Sequence, residues 1–298
     1  MNRVAAIDIG TNTVRLLVAE PGRDRRPTAT LRAHRVVTLG EGVDAAGRFA
    51  DAAIARALAG LGELVELAGP VERLDAVATS ATRDAANRDE FLDRAAVVLG
   101  VRPRVITGDE EARLAFAGAT GGGGTVPTVV IDVGGGSTEV VFGTADPDFV
   151  ASVDVGSVRL TERVLPERPS APHRVDAALG WAIGRFSIVE PLDPPGLAIG
   201  VAGTFTALAA IDADLDGHAD EAVHGHRLLR TRLEGLVGRL AGLTVEETAA
   251  IPSLEAARAP ALLGGAVTAL AAMTHLGLDA VEVRVTDLLD AVAADLLS

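Results

Sequence analysis

The chain opens on apolar runs cut by small polar turns. Val4–Ile9 and Val14–Ala19 are both of strand length and are joined by GTNT, which predicts two short buried strands around a tight connection. Thr28–Leu39 predicts a third strand. The period then changes: Ile54, Leu58, Leu61, Leu64 and Val65 recur at helical spacing, so Asp51–Ala68 should be an amphipathic helix. Leu74–Thr79 reads as a short strand. Asn87 is placed to cap a helix over Arg88–Leu99, with Gly100 as its stop. Val101–Thr107 follows as a strand and Asp109–Ala117 as a helix.

GATGGGGTVP, Gly118–Pro127, interrupts this pattern and is rich enough in glycine for a hinge. Beyond it the order restarts. Thr128–Val133, Glu139–Gly143 and Phe149–Val155 are strand candidates in meander order. Helices are expected at about His173–Val189, Thr204–Ile211, His226–Leu240 and Pro260–Leu276. PLDPPG, Pro191–Gly196, separates the first of these from a strand over Leu197–Ala202. Asp279–Val285 is a late strand and Asp287–Leu297 a terminal helix. Strands as a meander and then alternating with helices, twice over, predict an α/β chain made of two copies of one unit with a cleft between them.

The duplication is visible at residue level. VAAIDIGTNTVRLLVAE near the start and VVIDVGGGSTEVVFG after the hinge both run through apolar residues to an aspartate, turn on glycine and hydroxyl residues, and resume an apolar run. Asp8 and Asp132 occupy matching places.

Composition narrows what such a pair of turns can do. A formal net charge of −14 argues against a broad basic surface for a nucleic-acid duplex. Lysine is absent, so any phosphate must be held by arginine, backbone N–H groups or a metal. The absence of cysteine excludes disulfides and thiolate metal sites and fits a reducing compartment. MNRVAAIDIG lacks a signal-peptide layout, because its apolar segment is short and breaks at Asp8. No apolar run reaches the roughly 20 residues of a membrane span. A cytoplasmic protein with no membrane partner is expected.

Glycine-rich turns between strands leave backbone N–H groups open to phosphate oxygens. The candidates are Gly10, Thr11, Asn12 and Thr13 in the first turn, and Gly134, Gly135, Gly136, Ser137 and Thr138 in the second. Asp8 and Asp132 would repel a phosphate unless a hard cation stood between them, and Mg²⁺ with retained waters suits that position. One such turn is an ordinary hairpin. Two matched turns, each opening its own half of the chain, point to two phosphate loops sharing a metal. VAGTFTAL, Val201–Leu208, adds a strand–turn–helix in which Gly203 and Thr204 could present a helix N-terminus to phosphate. His224 and His226 have no metal-ligand spacing, and Trp181 and Met273 lie on apolar helical faces as core residues.

The paired loops resemble those of the actin-like (ribonuclease H-like) superfamily, which holds kinases, ATPases and phosphatases. The segments between them are more specific. Arg83–Asn87 reads R-x-A-x-N, Glu110–Leu114 reads EEARL, Val155–Glu162 reads VGSVRLTE and Val223–Leu228 reads VHGHRL. Together these resemble the exopolyphosphatase/guanosine pentaphosphate phosphohydrolase family in its short, two-domain form, over nearly the whole chain. The resemblance implies two actin-like domains flanking a cleft. Residues 1–120 form the first, joined by the C-terminal helix at about 286–298, and residues 125–285 form the second. It implies Glu111 as the catalytic base, Arg83 as a phosphate-contacting arginine, Asp8 and Asp132 as Mg²⁺-linked carboxylates, and a homodimer. Arg159 and Arg258 fall at positions the family pattern occupies. Read without the family, two glutamates in a first helical turn are simply favourable helix chemistry.

An exopolyphosphatase releasing terminal orthophosphate is the expected activity, with closure about Gly118–Thr125. A guanosine pentaphosphate 5′-phosphohydrolase uses the same machinery and stays open, as does a weakly catalytic paralogue that binds polyphosphate or an alarmone. An actin-like kinase or ATPase is disfavoured by the R-x-A-x-N and EEARL matches. The family usually has Asp where this chain has Pro260, and often Ser and Gly where it has Arg284 and Ala291. These departures bear on channel geometry and chain-length preference.

Overall fold

The computed structural model describes residues 3–22, 26–190, 195–217 and 220–298. The chain divides into two compact units, Met1–Gly122 with Thr286–Ser298, and Gly123–Val285. In the first unit, β1 (Val4–Ile9), β2 (Thr13–Pro21) and β3 (Pro27–Val36) are followed by α1 (Val43–Ala46) and α2 (Asp51–Ala68). Then come β4 (Arg73–Ala78), α3 (Ser80–Asp84), α4 (Arg88–Leu99), β5 (Arg104–Val105) and α5 (Gly108–Thr120). In the second unit, β6 (Thr128–Val133), β7 (Thr138–Gly143) and β8 (Pro147–Val153) lead to α6 (Ser157–Val164) and α7 (Pro172–Arg185). After these come β9 (Leu197–Val201), α8 (Ala202–Asp212), β10 (Arg227–Leu229), α9 (Arg230–Ala241), α10 (Val245–Ala249), α11 (Ala259–His275) and β11 (Ala280–Val283). The final helix, α12 (Leu288–Leu297), returns to the first unit.

The two sheets repeat one topology. The first has the order β3-β2-β1-β4-β5, and the second β10-β11-β9-β6-β7-β8. Each has an antiparallel meander of three strands whose first member pairs in parallel with the strand that follows, β1 with β4 and β6 with β9. Parallel pairing at the sheet centre requires both faces to be covered. In the first sheet, Ala5, Ile7 and Ile9 of β1 face a core with Ile54, Leu61 and Leu64 of α2 and Phe91 of α4. Val4 and Ala6 face a second core with Ala115 of α5 and Leu288, Leu289 and Val292 of α12. The two-residue period therefore turns Asp8 toward the α5/α12 side. In the second unit, the helical run Ala256–His275, which includes α11, is apolar and long enough to cross a membrane, yet most of it is buried in the core with Val129, Ile131 and Phe205.

Several elements differ from the sequence pattern for identifiable reasons. The third strand stops at Val36 rather than Leu39, because the N–H groups of Val37 and Thr38 both go to the carbonyl of Asn12. The strand expected over Val101–Thr107 pairs only at Arg104–Val105. His226–Leu240 is split by β10, where an antiparallel pairing with β11 takes up Arg227–Leu229. The helix expected to end at Val189 closes at Arg185 and tightens into a 3₁₀ turn, Phe186–Ile188. Periodicity does not mark the short helices α1, α3, α6 and α10, since none is long enough to show it. Of the PLDPPG stretch, Pro191–Pro194 lies outside the described residues.

The glycine-rich break is also not uniformly a hinge. Helix α5 continues through Gly118 to Thr120, and a Cβ on Gly118 would overlap the carbonyl oxygen of Asp287 just before α12. Gly118 is a contact glycine that lets α5 and α12 approach. Gly118→Ala should therefore destabilise the protein by about 3 kcal/mol, the upper range for overpacking, because a backbone carbonyl cannot step aside. Gly123, whose Cβ would meet nothing within 4 Å, should accept alanine with about 0.5 kcal/mol or less of change. Urea denaturation of the two variants checks the contrast.

Candidate active site

The two glycine-rich turns are built alike. Gly10 N–H donates to the Thr13 carbonyl at 3.0 Å, and Gly134 N–H to the Ser137 carbonyl at 3.0 Å. The carbonyls between are tied down from outside. In the first turn, Thr11 O accepts from Gly40 N at 2.8 Å, and Asn12 O from Val37 N and Thr38 N, both at 2.9 Å. In the second, Gly134 O accepts from Ser157 N at 2.9 Å, and Gly135 O from Val158 N and Arg159 N at 2.8 and 3.1 Å. Gly136 O accepts from Arg159 Nε at 2.7 Å. The N–H groups of Thr11, Asn12, Gly135, Gly136 and Ser137 donate no hydrogen bond among the described residues. Thr11, Gly136 and Ser137 are buried, and buried backbone donors are rarely left unpaired without a ligand or water to take them. Both turns therefore present donors with their acceptors already spent, the arrangement an anion needs.

Asp8 stands at the end of β1, directly opposite Arg15 across the hairpin. Its Oδ2 accepts from Arg15 Nε at 2.9 Å and Nη2 at 2.7 Å. Arg15 Nη1 turns to Asp287, whose Oδ1 caps α12 through Leu289 N at 3.0 Å. Oδ1 of Asp8 is buried with no partner, as is Oγ1 of Thr11 in the adjoining turn. Burial pushes the Asp8 carboxyl above the ordinary carboxylate value, and Arg15 pulls it only part of the way back. In the second turn the residue opposite Asp132 is Glu139, so two buried carboxylates face the same side of that hairpin. Glu139 also accepts from Ser152 Oγ at 2.8 Å. Taken separately, the lone Asp8 oxygen of the first unit and the carboxylate pair of the second are each hard-cation donors. Among the described residues no three Asp, Glu, His or Cys side chains gather as a cation site, so such an ion would keep waters or take phosphate oxygens.

Helix α5 separates the two glutamates of EEARL. Thr107 caps it, accepting from Glu110 N at 3.1 Å. Glu110 turns outward to Arg104, which also holds Asp75. Glu111, one position on, turns inward, where its side chain is 12% exposed and accepts from Arg83 Nη1 at 2.7 Å. Arg83 Nη1 also reaches the Ile106 carbonyl at 3.1 Å. The Nε and Nη2 of Arg83 donate to nothing among the described residues, which leaves one edge of the guanidinium fork open. Burial pushes Glu111 above the usual glutamate value, Arg83 draws it back in part, and the charge of Asp8 adds to the rise. Asn87, the last residue of R-x-A-x-N, does not cap α4 with its side chain. Its amide instead accepts from Phe49 N at 2.8 Å and donates to Phe49 O at 3.1 Å. Phe49 then packs edge-on against Phe91, with ring centroids 5.4 Å apart.

In the second unit, Gly203 and Thr204 start α8 beside the second turn, and Thr204 Oγ1 donates to the Val133 carbonyl at 2.9 Å. Ala202 sits at φ 67°, a strained backbone for a non-glycine residue. A Cβ on Gly203 would overlap the guanidinium of Arg258, which is nearly buried and held by Glu255 at 3.1 Å. The fully buried hydroxyl of Thr138 is donated to the Val155 carbonyl at 2.6 Å and so is spent within the fold. Pro260 is exposed in the first turn of α11, where no N–H partner is required, and so distorts nothing locally. Arg284 pairs with Glu282 at 2.7 Å, and Ala291 is buried in α12. His226 pairs with Asp212 at 2.9 Å, and His224 accepts from Val285 N at 3.4 Å, so both histidines are used within the fold.

The Ppx/GppA phosphatase family model matches residues 18–295. Exopolyphosphatase 2 of Mycobacterium tuberculosis is 39% identical over 315 residues, covering 99% of each chain. Guanosine-5′-triphosphate,3′-diphosphate pyrophosphatase of Photobacterium profundum is 33% identical over 84% of this chain and 52% of its own. The crystal structure of an exopolyphosphatase-like protein matches with a TM-score of 0.91 at 33% identity, covering 98% of both chains.

The raised Glu111 carboxyl carries a consequence for stability. The folded state holds that proton more tightly than the unfolded chain, so Glu111 contributes stability below its ordinary value of 4.5 and loses it as pH rises through the raised value. At neutral pH, Glu111→Gln should keep or raise Tm, by about 2–4 °C for each kcal/mol recovered. The gain should vanish in acid. Thermal melts of both proteins at neutral and acid pH check the sign.

Proposed function

The chain belongs to the Ppx/GppA phosphatase family, and from that premise we propose that it is an exopolyphosphatase. It hydrolyses the terminal phosphoanhydride bond of inorganic polyphosphate. The observation that carries this reading is a buried carboxylate, Glu111, fixed at 2.7 Å by an arginine with an open fork edge, in the same unit as a turn whose N–H groups are unspent.

Each part has a role in the reaction. The open edge of Arg83 and the N–H groups of Thr11 and Asn12 hold phosphate oxygens, while Gly135, Gly136 and Ser137 provide the matching donors in the second unit. Gly203 and Thr204, with Arg258 beside them, add a further anion-binding helix start. Glu111 takes a proton from the attacking water, and its raised basicity suits that transfer. The water oxygen bonds to the terminal phosphorus as the bond to the bridging oxygen breaks. Orthophosphate leaves, and the shortened chain carries the bridging oxygen as its new terminus. In the first unit Asp8 through Oδ1, and in the second Asp132 beside Glu139, would each offer carboxylate oxygen to Mg²⁺, which when bound neutralises phosphate charge. The proposal also takes the protein to be cytoplasmic and homodimeric, supported by the lack of cysteine and by the family resemblance.

A second reading, a guanosine pentaphosphate 5′-phosphohydrolase, is favoured by the Photobacterium relative and uses the same residues. Orthophosphate release with Mg²⁺ should be measured in parallel from short polyphosphate, long polyphosphate, guanosine pentaphosphate and ATP. The expected outcome is release from polyphosphate that Glu111→Ala lowers at least about 100-fold, a typical contribution of a positioned base. Faster release from the guanosine nucleotide would transfer the assignment to the second reading. Release from ATP alone would overturn both.

A further inference from the structure

The first phosphate turn is held by a segment that no sequence motif marked. Val37–Glu41 leaves β3, and three of its N–H groups, those of Val37, Thr38 and Gly40, are donated to the Asn12 and Thr11 carbonyls. Thr38 adopts φ 47°, a left-handed backbone that a β-branched residue rarely takes. Such strain persists only where surrounding contacts over-determine it, and those contacts are present. Arg56 of α2 donates through Nε to the Val37 carbonyl at 3.1 Å, and through Nη2 to Thr38 Oγ1 at 2.8 Å and Thr38 O at 3.4 Å. The same Nη2 reaches Glu41 at 2.7 Å, and the Thr38 hydroxyl itself donates to the Val37 carbonyl at 2.8 Å. On the inner side there is no slack, because a Cβ on Gly40 would overlap the methyl of Thr11.

The second unit does the same job by other means. There the N-terminus of α6 ties the carbonyls of Gly134 and Gly135, and Arg159 Nε ties that of Gly136. Gly156 takes the place of Gly40, since a Cβ on it would stand 2.6 Å from the Gly135 backbone. Each turn thus has a buttress made of backbone N–H donors, a contact glycine and one arginine. One is a helix start. The other is a strained loop clamped from α2.

We propose that Val37–Glu41, locked by Arg56, is the positioning element of the first phosphate turn, and that Arg56 acts on polyphosphate affinity through Thr38 without touching substrate. This rests on the exopolyphosphatase reading for its ligand. Amide donors that bind phosphate equally before and during reaction set KM rather than kcat. Loosening the clamp lets Asn12 and Thr11 carbonyls drift and misaligns their N–H groups, so binding weakens while the base is unaffected.

The test has two readouts. The dissociation constant for short polyphosphate is measured by titration calorimetry in Glu111→Gln protein, with and without Arg56→Ala. KM and kcat for the same substrate are measured in the otherwise native chain. Arg56→Ala should raise both Kd and KM about tenfold with kcat within about threefold, the signature of lost uniform binding. Arg56→Lys, with a charge but no fork, should fall between the two. Gly40→Ala should shift the constants in the same direction without removing any charge. Arg102→Ala, which removes an equally exposed arginine paired with Asp89 and Asp93, should shift neither constant. Unchanged Kd and KM in Arg56→Ala, with only a lowered Tm, would overturn the inference and leave Arg56 a structural residue. A protein that binds polyphosphate but does not hydrolyse it would sink the enzymatic reading, while the Kd comparison still decides this one. A protein that binds no polyphosphate would sink both.

Discussion

A turn can offer its N–H groups to a phosphate only if its own carbonyls have been removed from the scene. That constraint organises this molecule. A carbonyl left free beside an anion would repel it, and one left free in the core would lack a partner. In both units the carbonyls are bonded from outside by a neighbouring segment, and the donors are left over. The paired sheets, the short strands β1 and β6, and the aspartates at their ends all serve to place those two turns. A parallel neighbour on one edge and a hairpin partner on the other make β1 and β6 inner strands, and every residue in both is buried. A side chain at the strand end is thus fixed by packing rather than by loop contacts.

The proposed chemistry rests on competing electrostatic effects at one glutamate. Burial makes the Glu111 carboxylate costly to charge, and Arg83 makes it cheaper. Burial wins, which leaves a carboxylate more basic than a surface glutamate and still anchored. Glu110 shows the contrast, being one residue earlier in the same helical turn but paired at the surface with Arg104. Helix phase alone decides which of two adjacent glutamates is buried against Arg83 and which pairs at the surface. Asp8 adds to the rise in Glu111, which couples the two carboxyls electrostatically without a direct bond.

Much of this was legible in the residues. The matched aspartates, both glycine turns, most strands and the long amphipathic helix follow from apolar periodicity, because each element is buried on a defined face. The resemblance in R-x-A-x-N and EEARL pointed to Arg83 and Glu111, and the structure joins them. What stayed hidden depends on contacts distant in sequence. Arg15 and Glu139 could have been found from hairpin register, since each lies seven residues beyond its aspartate and directly opposite it. Asp287 could not, because its link to Arg15 needs α12 to return to the first unit. Asn87 read as a helix cap but spends its amide on Phe49, and Gly118 read as flexible but is a packing contact. In both cases a local preference lost to a tertiary partner. The strained turn at Thr38 carried no signal, as a threonine at the end of a strand predicts more strand.

The central claim is that Glu111 is the base and that burial, opposed by Arg83, sets its basicity. The most direct test is the pH dependence of kcat/KM on polyphosphate for the native protein and for Arg83→Gln. The account predicts an acid limb above the ordinary glutamate value of 4.5 in the native protein, displaced further upward when the opposing guanidinium is removed. An acid limb at the ordinary value, or one that does not move in Arg83→Gln, would contradict it.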